Sequence, residues 1–279
     1  MSDELAAGRE RVTRGVRHVL RAYPQLLKTG FAGAVAYRAE MLIWMFATNM
    51  PLVMLALWTA VARSGPVGPY SQKGFAAYYL SALLVRLLTG SWVVWEMTME
   101  IRQGTLALRL LRPINPLIAY SAENLAAVPL RGIIAIPVVS ILLYGMRGQL
   151  SHDPLSWLLF AAALFGSWLL TFLVMSLIGT LGLWFESASS LFDAWLGISA
   201  VLSGYLIPLD LFPEAVRNVA FVLPFRFQLS FPVELALGKT HGAQALFLLC
   251  AQWAYCGFAL LATRLVWRAG LRRYAAYGG

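Results

Sequence analysis

The sequence predicts an all-α integral membrane protein with six transmembrane helices, and three observations carry that prediction. Of its 279 residues 59% are hydrophobic and only 13% charged, whereas a soluble domain carries roughly 45–50% apolar and about 25% charged residues. So few charges cannot clothe a water-facing surface of this size. The mean hydropathy is +0.68. The apolar residues also gather into runs of around 20, the length that crosses a hydrocarbon core about 30 Å thick. Residues 1–40 form a cytosolic N-terminal amphipathic segment, and 41–279 form a single transmembrane domain.

In chain order, residues 9–29 alternate with helical period. Arg11, Arg14, His18, Arg21, Gln25 and Lys28 share one face and Val12, Val16, Val19, Leu20, Tyr23, Leu26 and Leu27 the other. Such a basic amphipathic helix lies in the headgroup plane rather than crossing it, with Pro24 as a kink. The first span is expected over 41–62, followed by a short Gly/Pro loop, and the second over 75–95. A polar stretch, 96–116, leads to a third span over 124–146. A fourth, 155–185, is longer than a crossing needs and so is tilted or extended. A fifth follows over 191–207 and a sixth over 243–267. Between the last two, Pro208, Pro213 and Pro224 punctuate a short, largely apolar helix. It is too short to cross and too apolar for free solvent, which predicts a re-entrant or interfacial hairpin on the outer side, entered through Gly204.

The net charge of +9 flanks apolar spans instead of interleaving with aromatic or hydrogen-bonding groups. It therefore points to cytoplasmic loops and anionic headgroups, and not to nucleic acid. With both termini cytosolic, fourteen Lys/Arg fall inside and six outside, while Arg86 and Arg131 stand within spans two and three. That asymmetry orients the chain with termini in.

Enzyme chemistry finds no foothold. Gly238-Lys239-Thr240 resembles the end of a phosphate-binding loop, but the glycine required five positions before Gly238 is Val233. His18, His152 and His241 are scattered, no metal-ligand spacing occurs, and no Gly-x-Ser-x-Gly elbow exists. Cys250 and Cys256 lie in one apolar segment and read as buried packing residues. Arg86 and Arg131 are intramembrane ions, either structural pairings with Glu96, Glu186 or Asp193, or contacts to an anionic substrate. The stretch from Glu100 to Pro116 is the most informative. Gly104 and Pro113 bound a short amphipathic helix on which Leu108, Leu111 and Arg112 share a face, suited to docking a soluble partner; Arg102, Arg109 and Arg112, on or beside it, are expected to pair with acidic groups on that partner.

These two segments, Gly104-Thr105-Leu106 through Leu-Leu-Arg-Pro to Asn115-Pro116 and the Ser203-Gly204…Pro224 pattern, occur in this order between apolar spans. In this the chain resembles the membrane subunit, or permease, of ABC transporters of the ABC-2 type, a largely exporter family, over nearly its whole length. The resemblance implies six helices per subunit and a pore built by a homodimer or a heterodimer with a related permease. It implies a separate ATPase subunit carrying ATP and Mg, docked on a coupling helix (Glu100, Arg102, Gly104, Thr105, Leu108, Leu111, Arg112) and on the N-terminal connecting helix. It also implies a bacterial inner membrane location and a hydrophobic, amphipathic or lipid-like cargo. The rival classes are a secondary transporter, which usually shows inverted repeats or titratable pathway residues, and a scaffold that transports nothing.

Overall fold

The computed structural model describes residues 2–40, 43, 50–185 and 188–274, with the backbone alone over 2–18. Among the described residues twelve α-helices follow one another: α1 (Ser2–Ala36), α2 (Met50–Val61), α3 (Gln72–Thr89), α4 (Val93–Arg102), α5 (Leu106–Leu110), α6 (Pro116–Ala126), α7 (Val128–Ser140), α8 (Pro154–Leu181), α9 (Ala188–Leu202), α10 (Glu214–Val222), α11 (Ser230–Ala236) and α12 (Gly242–Leu271). Four segments are long and apolar enough to cross a membrane: Gln72–Arg102, Pro116–Gly145, Pro154–Leu181 and Gly242–Leu271. They match the expected second, third, fourth and sixth spans. α2 and α9 are shorter apolar helices of 12 and 15 residues. The start of the first expected span, and Glu186 ahead of the fifth, lie outside the described residues, as do the side chains of the N-terminal basic face up to His18.

The second and third spans are longer than the hydropathy pattern indicates. Helix continues to Arg102 and resumes at Pro116, inside the stretch expected to be a polar loop. The reason is local: Glu100 and Glu123 are bonded to Arg109, so their charges do not end the helices. Helix starts follow capping chemistry. Ser71 accepts from the Gly74 N–H, Asn115 from Leu117, and Asp153 from Leu155 and Ser156, each satisfying a donor left open in a first turn.

α12 runs against α8, where Gly166 allows Gln252 to approach closely. α1 lies along α6: Tyr23 and Ser121 hydroxyls are 3.2 Å apart, and Gly30 sits against Glu123 and Ala126. Cys256 is buried against the Gly166 carbonyl, but Cys250 is exposed on the outer face of α12, unlike the expected pair of packing residues.

After α9 the chain breaks helix at Gly204, whose φ is +83°. It then forms a helix–turn–helix: α10, a 3-10 turn over Pro224–Gln228, and α11. Its depth follows from its bonds. The Phe227 carbonyl accepts from Ser167 Oγ at 2.7 Å and Gln252 Nε2 at 2.9 Å. Those residues stand roughly 15–20 Å along α8 and α12 at about 1.5 Å per residue, near the middle of each. α11 then climbs back to the end where Ser151 N–H meets the Ala236 carbonyl at 2.9 Å.

Every residue from Phe225 to Ala236 is buried, and side chains of neighbouring helices meet the carbonyls that the break exposes. Tyr78 donates to Gly204 (2.8 Å), Ser230 to Ser203 (2.5 Å), Tyr79 and Trp58 to Leu206 (2.8 and 3.1 Å), and Tyr255 to Val222. The rings of Trp58, Tyr70 and Phe75 stack beside them.

A Cβ on Gly204 would lie 2.5 Å from the Tyr78 hydroxyl and would also meet Ser230 Oγ, at a φ that L-residues rarely adopt. Gly204→Ala is therefore expected to cost about 2 kcal/mol or more, seen as a lower melting temperature of the purified protein in detergent. Gly257→Ala, on α12 with open space around its Cβ, is expected to leave it unchanged or raise it.

Candidate functional site

The two ends of the bundle differ in what they present. At the end carrying the turn after α4, Gly104 adopts φ +72° and closes that helix. Its carbonyl accepts from Tyr274 OH at 3.1 Å, tying the turn to the C-terminal region. Leu106 is buried and anchors α5. Leu108 and Leu111 point the other way, 63% and 82% exposed, beside exposed Arg102, Arg112 and Pro113, with Thr105 exposed on the approach. Both leucines thus stand exposed on a short helix outside the apolar spans.

Arg109 holds that helix in place. Its Nε is 2.8 Å from both Glu100 carboxylate oxygens, and its Nη1 and Nη2 reach the Glu123 oxygens at 2.8 and 3.0 Å. Tyr120 donates to Glu100 at 2.5 Å, and its ring lies under the guanidinium at 4.2 Å. One planar fork thus joins α4, α5 and α6 by charge-assisted bonds that a point-like ammonium could not match. Partial burial works against the charge of Arg109, but Glu123 and Glu100 outweigh it and raise its pKa above the ordinary arginine value. Arg109 and Glu100 are therefore engaged within the chain; the expectation that Arg109 is available to an acidic partner is corrected.

Among the described residues Arg86 and Arg131 form no hydrogen bond or ion pair with the carboxylates expected for them, although Glu96 attracts Arg131 across a shared cavity. Arg131, 6% exposed, donates to the Gly90 carbonyl at 2.5 Å in the break between α3 and α4. Half-buried Arg86 brings its Nη1 to the same glycine, 3.4 Å from where a Cβ would stand. Asp193 faces outward on α9, Glu96 is exposed into a cavity, and Glu186 lies outside the described residues.

At the opposite end, Lys239 Nζ is 2.6 Å from both Asp210 Oδ2 and Tyr70 OH, and Tyr70 donates to the same carboxylate at 2.8 Å. Burial opposes the Asp210 charge, yet Lys239 and the Tyr70 hydrogen bond hold its carboxyl below the usual range; burial and the neighbouring Tyr78 and Asp210 push Tyr70 far up. Arg226 and Glu234 pair at 2.6 Å beneath them. Pro208 and Pro213 set the turns on either side of Asp210, and Pro224 opens the deep turn. Lys239 and Thr240 thus serve ion pairing and a bond to Glu234, consistent with rejecting a phosphate loop there. His152 and His241 line one cavity of about 490 Å³. Among the described residues no three metal-ligating side chains converge.

Removing the fork leaves two carboxylates facing each other. Arg109→Ala is expected to destabilise the protein by about 3 kcal/mol or more, and Arg109→Lys by less, as read from thermal unfolding in detergent. Equal melting of all three proteins would show the fork to be a surface pairing.

A model of the ABC-2 family transporter proteins matches residues 45–278, which takes in everything described above except α1. No curated protein matches the chain.

Proposed function

We propose, on the premise that this chain belongs to the ABC-2 transporter family, that it is the membrane-spanning permease subunit of an ATP-driven exporter. One observation carries the coupling half of that reading: Leu108 and Leu111 stand exposed on a short helix fastened to two spans through Arg109. An apolar pair on a rigid mount is what a groove on a separate ATPase subunit would take, with Arg102 and Arg112 at its rim. ATP and Mg belong to that subunit. Movement of α5 would pass through Arg109 to Glu100 on α4 and Glu123 on α6, and so to the second and third spans together.

Two copies, identical or related, would enclose the path between them. The exposed apolar faces of α7, α9 and α12 would meet lipid or that second copy. The helix–turn–helix of α10 and α11, with its turn halfway along the spans, supports a re-entrant element on the outer side that helps close the path there. Its apolar surroundings suit a hydrophobic, amphipathic or lipid-like cargo. The basic N-terminal segment and the basic C-terminal end support a reading with both termini in the cytosol of a bacterial cell and the chain in the inner membrane.

Replacing both leucines, L108D with L111D, is expected to abolish copurification of the ATPase while leaving membrane yield intact. Each buried unpaired charge costs several kcal/mol, and about 1.4 kcal/mol is tenfold in affinity. Retention of the ATPase by the double variant would remove the coupling role from this helix.

Orientation has its own test. In a variant lacking Cys250 and Cys256, cysteines placed at His152 and His241 are expected to react with an impermeant thiol reagent on intact cells, and those at Thr13 and Tyr274 to stay unlabelled. The reverse pattern would invert the topology.

A further inference from the structure

An open-sided cavity of about 400 Å³ lies between α1 and the junction of α4, α6 and α7, within the size range of ligand sites. Gly33 on α1 and Tyr37 just past its end form one wall, and Trp92, Glu96, Asn124 and Arg131 face them. Four charged residues line it: Glu96, Arg109, Glu123 and Arg131. Arg109 and Glu123 are bonded to each other at 2.8 Å. The remaining pair, Arg131 and Glu96, attract each other across the cavity, but no hydrogen bond or ion pair joins either of them to an opposite charge among the described residues. Among the described residues Arg131 donates to the Gly90 carbonyl, and Glu96 is an exposed residue of the cavity lining.

Arg86 adds to the demand for an anion. Its Nη1 and that of Arg131 lie 3.4 and 3.9 Å from the position a Gly90 Cβ would take, so two guanidinium groups share one backbone kink. Charges within a membrane layer require a partner, and a ligand bearing only negative charge would be opposed by Glu96. A ligand bringing both signs would give each of the two charges a hydrogen-bonded partner of opposite sign.

We propose that this cavity binds the zwitterionic headgroup of a membrane phospholipid, its phosphate against Arg131 and its amine against Glu96. α1 forms one wall and, as an amphipathic helix, runs at the headgroup layer, which brings such a headgroup within reach. Primary ammonium donates hydrogen bonds to a carboxylate, so phosphatidylethanolamine is favoured over phosphatidylcholine, and both over phosphatidylglycerol. The proposal rests on the chain being membrane-embedded and does not require the coupling role of α5.

The test is native mass spectrometry of the full chain from nanodiscs made with each of these three lipids. The unchanged protein is expected to retain phosphatidylethanolamine about tenfold over phosphatidylglycerol, the discrimination of roughly one charge-assisted interaction. Gly33→Phe projects into open space, since a Cβ there meets nothing within 4 Å; it is expected to abolish retention without lowering the melting temperature. Glu96→Gln is expected to erase the preference for the amine, and Arg131→Gln to release both lipids. Should Arg131→Gln fail to fold, the other two variants, which keep Arg131 and its bond to Gly90, still decide the matter. Equal retention of phosphatidylethanolamine and phosphatidylglycerol by the unchanged protein, or full retention by Gly33→Phe, would overturn the proposal. ATPase copurification is expected to survive in Gly33→Phe, which separates a failure here from a failure of the coupling assignment.

Discussion

Between Ser203 and Ala236 the chain leaves helix inside a bundle whose other members are long and apolar, and the carbonyls so exposed have no water to turn to. Each unsatisfied backbone group in such surroundings costs several kcal/mol. The structure meets this cost with side chains from the spans themselves. Tyr78, Tyr79 and Trp58 serve the first bend, Ser167 and Gln252 the deep turn at Phe227, and Tyr255 the end of α10. Because these donors sit on α2, α3, α8 and α12, the positions of four helices are tied to one irregular segment. Gly166 and Gly204 are small for the same reason: a side chain at either would occupy the space of the groups that satisfy the break.

The charges follow the same logic, gathered at the ends and joined across elements. Arg109 bonds to Glu100 and Glu123 at one end, Lys239 to Asp210 and Tyr70 at the other, and Arg226 to Glu234 just beneath the latter. Each pair connects segments far apart in sequence or closes a turn, so these ions act as fasteners between helices. Such pairs, partly exposed at Arg109 and Lys239 and buried at Arg226–Glu234, add little net stability when compared with apolar replacements, but removing one member leaves a stranded charge. They hold in register what the apolar surfaces alone would let slide. The arginines at Gly90 lie outside that scheme, which is why they point beyond the chain.

The spans were legible because a bilayer imposes a length on apolar runs, and that constraint acts on each helix separately. The second to fourth and the sixth match long apolar helices with errors at their ends, and the largest errors, at the end of the second and the start of the third, have one cause. Glu100 and Glu123 count as loop residues in a hydropathy profile, yet they are helical because Arg109, nine and fourteen positions away, neutralises them. Neither separation carries a helical period, so no pattern along the chain reveals the cluster. The same holds for Lys239, which meets Tyr70 across 169 positions.

What the sequence by itself determined was composition-driven: an α-helical membrane protein, glycines and prolines where helices must break, and a short helix carrying Leu108 and Leu111 between two spans. Those follow from local rules, in which a residue's own chemistry and its near neighbours suffice. Which way Leu106 and Leu108 point, the engagement of Arg109 within the chain, the depth of the turn at Phe227 and the absence of a carboxylate on Arg131 among the described residues were decided by tertiary structure. Each depends on which helices become neighbours, and in an apolar bundle that choice is made by the few polar groups that must find one another.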